Sequence, residues 1–387
     1  MVSKIILCFI CVFVLVSTSH SQHTNAKEQE YIFPVSIDGK YGYIDRMGKV
    51  VIEPIFRLAD KFSEGLAFVQ FGIVSRIHEC GYIDMTGKVV IKDNFQGCGG
   101  FSEGLALVQI GGKVGYLNKT GEFVIKPQFD FGYDFSEGMA RVCMHDNKIL
   151  GVDYYGFVDR IGNIVVSPQY TNADDFSEGL ASVRVGDKYG YIDNKGQTVI
   201  KPIFNTANKF SEGLAFVGNG EYINKMGQVI VKALIQGDPE ILFVNNCRDF
   251  SEGLAVIEVG TVKTGVKNGY IDKSGKVVIK PQFDFAGNFS EGLASVMISS
   301  NGEKYGYINK AGEMVTEIIY DNAESFHEGH AVVRLGGKEG YIDKTGKLVG
   351  PWFDTAYQFC GGLAAVGIGD KLGYIDKSGK YIWVPTR

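Results

Sequence analysis

Phe101-Ser-Glu-Gly-Leu-Ala-Leu-Val-Gln-Ile-Gly-Gly-Lys-Val-Gly-Tyr-Leu-Asn-Lys-Thr-Gly-Glu-Phe-Val-Ile-Lys-Pro-Gln-Phe129 decides the architecture. Leu105 to Ile110, Val114 to Asn118 and Phe123 to Pro127 are short runs of Val, Ile, Leu, Tyr and Phe, residue types that suit a pleated, half-buried surface. Gly111-Gly112-Lys113 and Lys119-Thr120-Gly121 join them. Such connections supply the φ > 0 that tight hairpins require. Asn118 opens the second turn, where its side chain can accept turn amides. Pro127 ends the third run because it has no N–H for the ladder. The stretch predicts three short antiparallel strands.

The same unit recurs along the chain. Gly-Tyr-Ile-Asp or a variant begins at Gly42, Gly81, Gly115, Gly156, Gly190, Glu221, Gly269, Gly306, Gly340 and Gly373. Phe-Ser-Glu-Gly-Leu-Ala or a variant begins at Phe62, Phe101, Phe135, Phe176, Phe210, Phe250, Phe289, Phe326 and Phe359. Each unit must bury its apolar face on its neighbours. The fold class expected is therefore all-β, a tandem array of about ten three-stranded antiparallel units over residues 31–387. An open β-superhelix or propeller-like arc is favoured, because both ends make whole units and neither has a strand to lend. A closed β-propeller is the alternative.

In the first strand of each unit, Ala67 and Val69 recur as Ala106 and Val108, and as Ala140 and Val142. The residue between them drifts: Phe68, Leu107, Arg141, Ser182, Phe216. Alternation puts the constant pair on one face and the drifting residue on the other, where it is expected to meet water or a partner. Phe68, Leu107, Arg141 and Phe216 are thus candidate binding residues, with Tyr154 from the inserted hairpins at 71–79, 144–154, 260–268 and 299–304. Three residues before each recurring Phe lies a small-residue slot, filled by Ala59, Ala173 and Ala207, and by Cys98 and Cys247. These two are expected as buried thiols, with disulfides the less favoured reading.

The chain carries 39 Lys and Arg against 44 Asp and Glu, a net charge of −5. This mildly acidic mixture is a poor match for polyanions, so nucleic acid is not an expected partner. Lys4, the apolar run Ile5 to Val16, and Ser19 and Ser21 read as a signal peptide over 1–21, with a short linker at 22–30. The run is too short to span a bilayer, and no transmembrane helix is expected after cleavage. The protein is expected to be exported.

No catalytic, cofactor or metal site is expected. Ser-Glu-Gly offers one carboxylate per unit, too sparse for calcium's six to eight oxygens, and an ion pair or turn cap is the better reading. Phe326-His-Glu-Gly-His330 has the wrong His spacing for a helical zinc motif. Only residues 232–248 break the repeat with a polar cluster.

Units of this form, Gly-Tyr-Ile-Asp-Lys-x-Gly-Lys-x-Val-Ile-x-Pro-x-Phe-Asp followed by Phe-Ser-Glu-Gly-Leu-Ala-x-Val, resemble the WG-repeat family of bacterial β-repeat proteins. The resemblance covers residues 31–385. It implies an interaction module in a bacterium, placed by the export signal in the periplasm, at the cell surface or outside, and carries over no catalytic residue. The Trp that names the family is absent, its slot holding Tyr41, Cys80, Val114, Tyr155, Tyr189, Gly220, Asn268, Tyr305, Glu339 and Leu372. The expected function is a non-enzymatic binding or scaffold module for a protein or cell-surface glycan. The alternative is a structural envelope or matrix protein that self-associates.

Overall fold

The computed structural model describes residues 31–74, 77–93, 95–145, 151–233, 241–262, 265–369 and 371–384. The expected signal peptide and linker at 1–30 lie outside the described residues. From Tyr31 onward the chain forms one compact unit of ten antiparallel sheets, each a meander of sequential strands. Blade 2, for instance, runs Leu58–Ala59, Leu66–Val74, Ile77–Asp84 and Val89–Asp93. Six blades have four strands and four have three.

Each letter of the repeat has a mechanical reason. Where the outer strand crosses Gly42, Gly115 and Gly269, a Cβ would stand 2.4 to 2.5 Å from the carbonyl oxygens of Ile52, Ile125 and Ile279. Only glycine fits, and the register shifts there by a bulge. The following Tyr is buried, and its hydroxyl donates to a backbone carbonyl near the start of the next blade: Tyr43 to Asp60 (2.8 Å), Tyr116 to Tyr133 (2.8 Å), Tyr270 to Gly287 (2.7 Å). Phe157 is the exception. The Asp or Asn then caps the turn. Asp45 Oδ1 accepts from the amides of Met47 and Lys49 at 2.8 and 2.9 Å, and Asp376 does the same for Ser378 and Lys380.

Phe-Ser-Glu-Gly ties each blade to the next. The Phe ring meets the preceding blade's Tyr edge-on, as in Tyr82–Phe101 with centroids 5.0 Å apart. Ser63 Oγ donates to Phe101 O at 2.6 Å, and Ser290 Oγ to Phe326 O at 2.8 Å. His327 stands in the Ser position with Nδ1 2.7 Å from Phe359 O, which accounts structurally for one histidine of that pair. Glu and Gly occupy the two central positions of a hairpin turn, both at φ > 0: Glu291 at 54° and Gly292 at 88°. The Glu carboxylate accepts from the next turn's glycine amide, Glu291 to Gly329 at 2.9 Å, and pairs with Lys344 at 2.9 Å.

Ten apolar clusters occupy the ten blade interfaces, one each. An open row of ten blades would have nine. The tenth joins Phe33, Val35 and Ile44 of blade 1 to Leu363 and Tyr374 of blade 10. Tyr374 Oη donates to Pro34 O at 2.7 Å. The array is therefore a closed ten-bladed β-propeller, the alternative arrangement weighed from the sequence. Whole terminal units do not prevent closure, because blades meet face to face and need no shared strand. The seam has its own chemistry. Gly361 replaces the recurring Glu, a Cβ there would lie 2.6 Å from the Tyr31 ring, and the Arg46 guanidinium sits 4.9 Å from that ring's centroid.

Candidate ligand cavity at blades 6 and 7

The drifting first-strand positions do not face water. Ser182, Phe216, Val256, Ser295 and Val332 are buried, and Phe68, Leu107 and Arg141 half-buried. The reason is closure by stacking: Ala67 and Val69 pack back on blade 1 while Phe68 packs forward on blade 3. Alternation was legible, but in a propeller both faces of a blade are covered. Phe68 lies against Tyr82, centroids 6.3 Å apart. Leu107 joins the cluster between blades 3 and 4. Arg141 stacks 3.8 Å from the Tyr133 centroid and donates from Nε to Asp175 Oδ1 at 3.1 Å, so it is committed to the junction of blades 4 and 5. Tyr154 is half-buried on the hairpin strand Asp153–Asp159, where it pairs with Met144.

Phe216 differs from the others, because the blade around it is cut short. Val217 N donates to Glu221 O and Glu221 N to Gly218 O, each at 2.9 Å. Gly218, Asn219 and Gly220 all take φ > 0. This tight loop reduces the hairpin of blade 6 to Ala215–Phe216 and Glu221–Ile223. Blade 7 instead leads with a long strand, Ile241–Cys247, inside the stretch that breaks the repeat in sequence. Residues 234–240 of that stretch are outside the described set. The mismatch leaves a cavity of about 500 Å³ with Phe216 in its wall. Thr206, Asn208, Asn246, Arg248, Asp249 and Asn288 also line it.

These polar groups are held in place. Asn208 Nδ2 donates to Asp249 Oδ1 at 2.8 Å, and Asn208 N donates to Phe216 O at 2.9 Å. Arg248 is anchored by its backbone, N to Val256 O at 3.0 Å and O accepting from Tyr222 Oη at 2.6 Å. Its guanidinium lies 5.0 Å from the Phe285 centroid. Burial raises the Asp249 carboxyl above its usual range, against the Asn208 hydrogen bond and the Lys209 charge. Burial pushes the Cys247 thiol up to about 12. The cavity thus offers amide and hydroxyl donors and acceptors, one guanidinium and one carboxyl beside an aromatic ring, with Asn208 held by Asp249. Sequence reading named Phe216 and the 232–248 break, which holds Asn246 and Arg248, but not Asn208, Asp249 or Asn288, which sit in links read as packing. The shortened spacing from Phe210 to Glu221 was the available signal.

The profile for the "WG containing repeat" matches residues 41–72, 81–113, 115–148, 155–189, 189–221, 269–301, 305–338 and 340–371. The chain belongs to the WG-containing-repeat family. Asn246, Cys247, Arg248 and Asp249 of the lining fall in the gap between matches, and the rest of the lining lies within the matches on either side of it. Among solved structures this WG-repeat chain is similar to one described as a crystal structure of the eukaryotic initiation factor. There the identity is 13%, with 86% of this chain and 98% of that chain covered and a TM-score of 0.54, a likeness of fold alone. A dihydro-heme d1 dehydrogenase, NirN, in complex with DHE aligns at 14% identity over 86% of this chain and 75% of that one, with a TM-score of 0.40. No curated protein matches.

Proposed function

We propose that this WG-repeat propeller is an exported, non-enzymatic binding module that holds a cell-surface glycan in the cavity between blades 6 and 7. The observation that carries the reading is the lining itself. Asn208, Asn246 and Asn288 with Thr206 present the neutral donors and acceptors that pair with sugar hydroxyls, and ligand sites combine such convergent polar groups with an apolar wall. Phe216 supplies the wall. The Cys247 thiol in the lining, pushed up to about 12 by burial, is not a nucleophile at neutral pH. Export is supported by the leader-like composition of residues 1–21. The test is a glycan array probed with the full chain and with Asn208→Ala and Arg248→Ala. Retention of a defined glycan class by the native chain, lost in both variants, is the expected result. A protein that retains no glycan, or variants that retain it unchanged, would remove this reading.

Self-association as a structural protein is the second reading. Met47, Ile161 and Met226 stand 84%, 77% and 73% exposed on turn tips, an arrangement that favours contact between copies. A concentration-dependent sedimentation coefficient would support it.

A further inference from the structure

In register, the residue before each Gly-Tyr and the small-residue slot at the start of the next blade lie against one another. Glu339 Oε2 accepts from Ala356 N at 2.7 Å, and a Cβ on Gly132 would stand 2.9 Å from Val114 Cγ1. At the junction of blades 2 and 3 both positions are cysteine. Cys80 Sγ and Cys98 Sγ are 3.5 Å apart. Cys80 lies on Ile77–Asp84 of blade 2 and Cys98 on Gly97–Ser102, the leading strand of blade 3. We propose that Cys80 and Cys98 form a reversible disulfide that staples blade 2 to blade 3.

A disulfide needs its sulfurs about 2.05 Å apart, so the pair must close by roughly 1.5 Å. The irregular register between Cys98 and Phe101 leaves the leading strand free to supply part of that movement. Cys98 is half-buried and Cys80 2% exposed, so a reagent enters from the Cys98 side. The two thiols share a hydrogen bond in which either sulfur can donate, so the pair can hold one proton and one thiolate, the attacking species. The oxidant is a low-molecular-weight disulfide. The thiolate of the pair attacks one of its sulfurs, forming a mixed disulfide and expelling one thiolate. The partner thiolate then attacks the protein sulfur of that mixed disulfide and expels the second. Two protein thiols are oxidised, one reagent disulfide is reduced to two thiols, and the two protein protons end on those thiols.

The other cysteines are internal controls. Cys247 fills the same small slot as Cys98 but is buried beside the Tyr222 hydroxyl, with no cysteine at the register position Gly220. Cys143 is fully buried. The inference is independent of the glycan reading.

The experiment treats the full chain with oxidised glutathione, blocks remaining thiols under denaturing conditions, and digests with trypsin. The expected product joins peptides 77–88 and 93–113, two hydrogens lighter than the pair and separated by reductant. Cys98→Ala, a residue this slot holds in other blades, should fold, lose the cross-link and lose any redox-dependent change in Tm. The native chain should melt higher oxidised than reduced. Full alkylation of both cysteines after oxidation, a stable glutathione adduct on Cys98 without the cross-link, or pairing of Cys80 with another cysteine would each overturn the proposal.

Discussion

Glu291 tests how the blades are held together. Its φ of 54° lies in the left-handed region, which costs a residue with a Cβ roughly 1–2 kcal/mol. Its carboxylate accepts from Gly329 N at 2.9 Å and meets Lys344 at 2.9 Å. A hydrogen bond to a charged group contributes about 1.5–3 kcal/mol. The ion pair adds roughly 0–1 kcal/mol, because its side chains are 48% and 30% exposed. Glu291→Ala keeps the strain and loses both contacts, a loss of about 2–3 kcal/mol. Glu291→Gly loses the contacts but relieves the strain, so it should be more stable than the Ala variant by about 1 kcal/mol. The assay is thermal and urea unfolding of the two variants beside the native chain. pH supplies a second readout. Burial raises the Glu291 carboxyl, but Lys344 and the Gly329 amide outweigh it, and the group titrates below its usual range. A depressed folded pKa contributes stability above the unfolded pKa and loses it as pH falls through the folded one. The gap between native chain and Glu291→Ala should therefore be full at pH 7 and close below about pH 4. A Gly variant no more stable than the Ala variant would refute the strain argument. A pH-independent gap would refute the carboxylate tie.

Tyr270→Phe removes the hydrogen bond to Gly287 O and should cost about 1 kcal/mol, read as a modest fall in Tm, since Phe157 already serves in blade 4. Gly115→Ala sets a Cβ 2.5 Å from Ile125 O and should lower the yield of folded protein far more. Phe33→Ala opens the interface cluster with the fewest buried members among the described residues and should cost about 3–5 kcal/mol, with faster hydrogen exchange in blades 1 and 10 than elsewhere.

Much of this was legible because the repeat repeats its physics. Asp45 and its counterparts cap turns as the Asx reading requires, the aromatics pack between units, and Glu291 is ion-paired, as are Glu64, Glu178, Glu212, Glu252 and Glu328. Whether the ring closes was not legible. It turns on small changes of angle between blades that no single residue encodes, and its local signs, Gly361 beside Tyr31 and Arg46, are intelligible only once the ends meet. The same ignorance misplaced Phe68, Leu107 and Arg141, since period-two alternation identifies two faces but not whether a neighbour covers the second. The cavity was half legible: the break at 232–248 holds Asn246 and Arg248, while Thr206, Asn208 and Asn288 come from links whose role depends on the truncated blade beside them.

Small-angle scattering on the chain without its first thirty residues tests closure most directly. A closed propeller predicts a compact particle with a radius of gyration of about 20 Å and a maximum dimension that does not change with concentration. A radius several ångströms larger with an elongated distance distribution would mean that blades 1 and 10 do not meet, and would contradict the account.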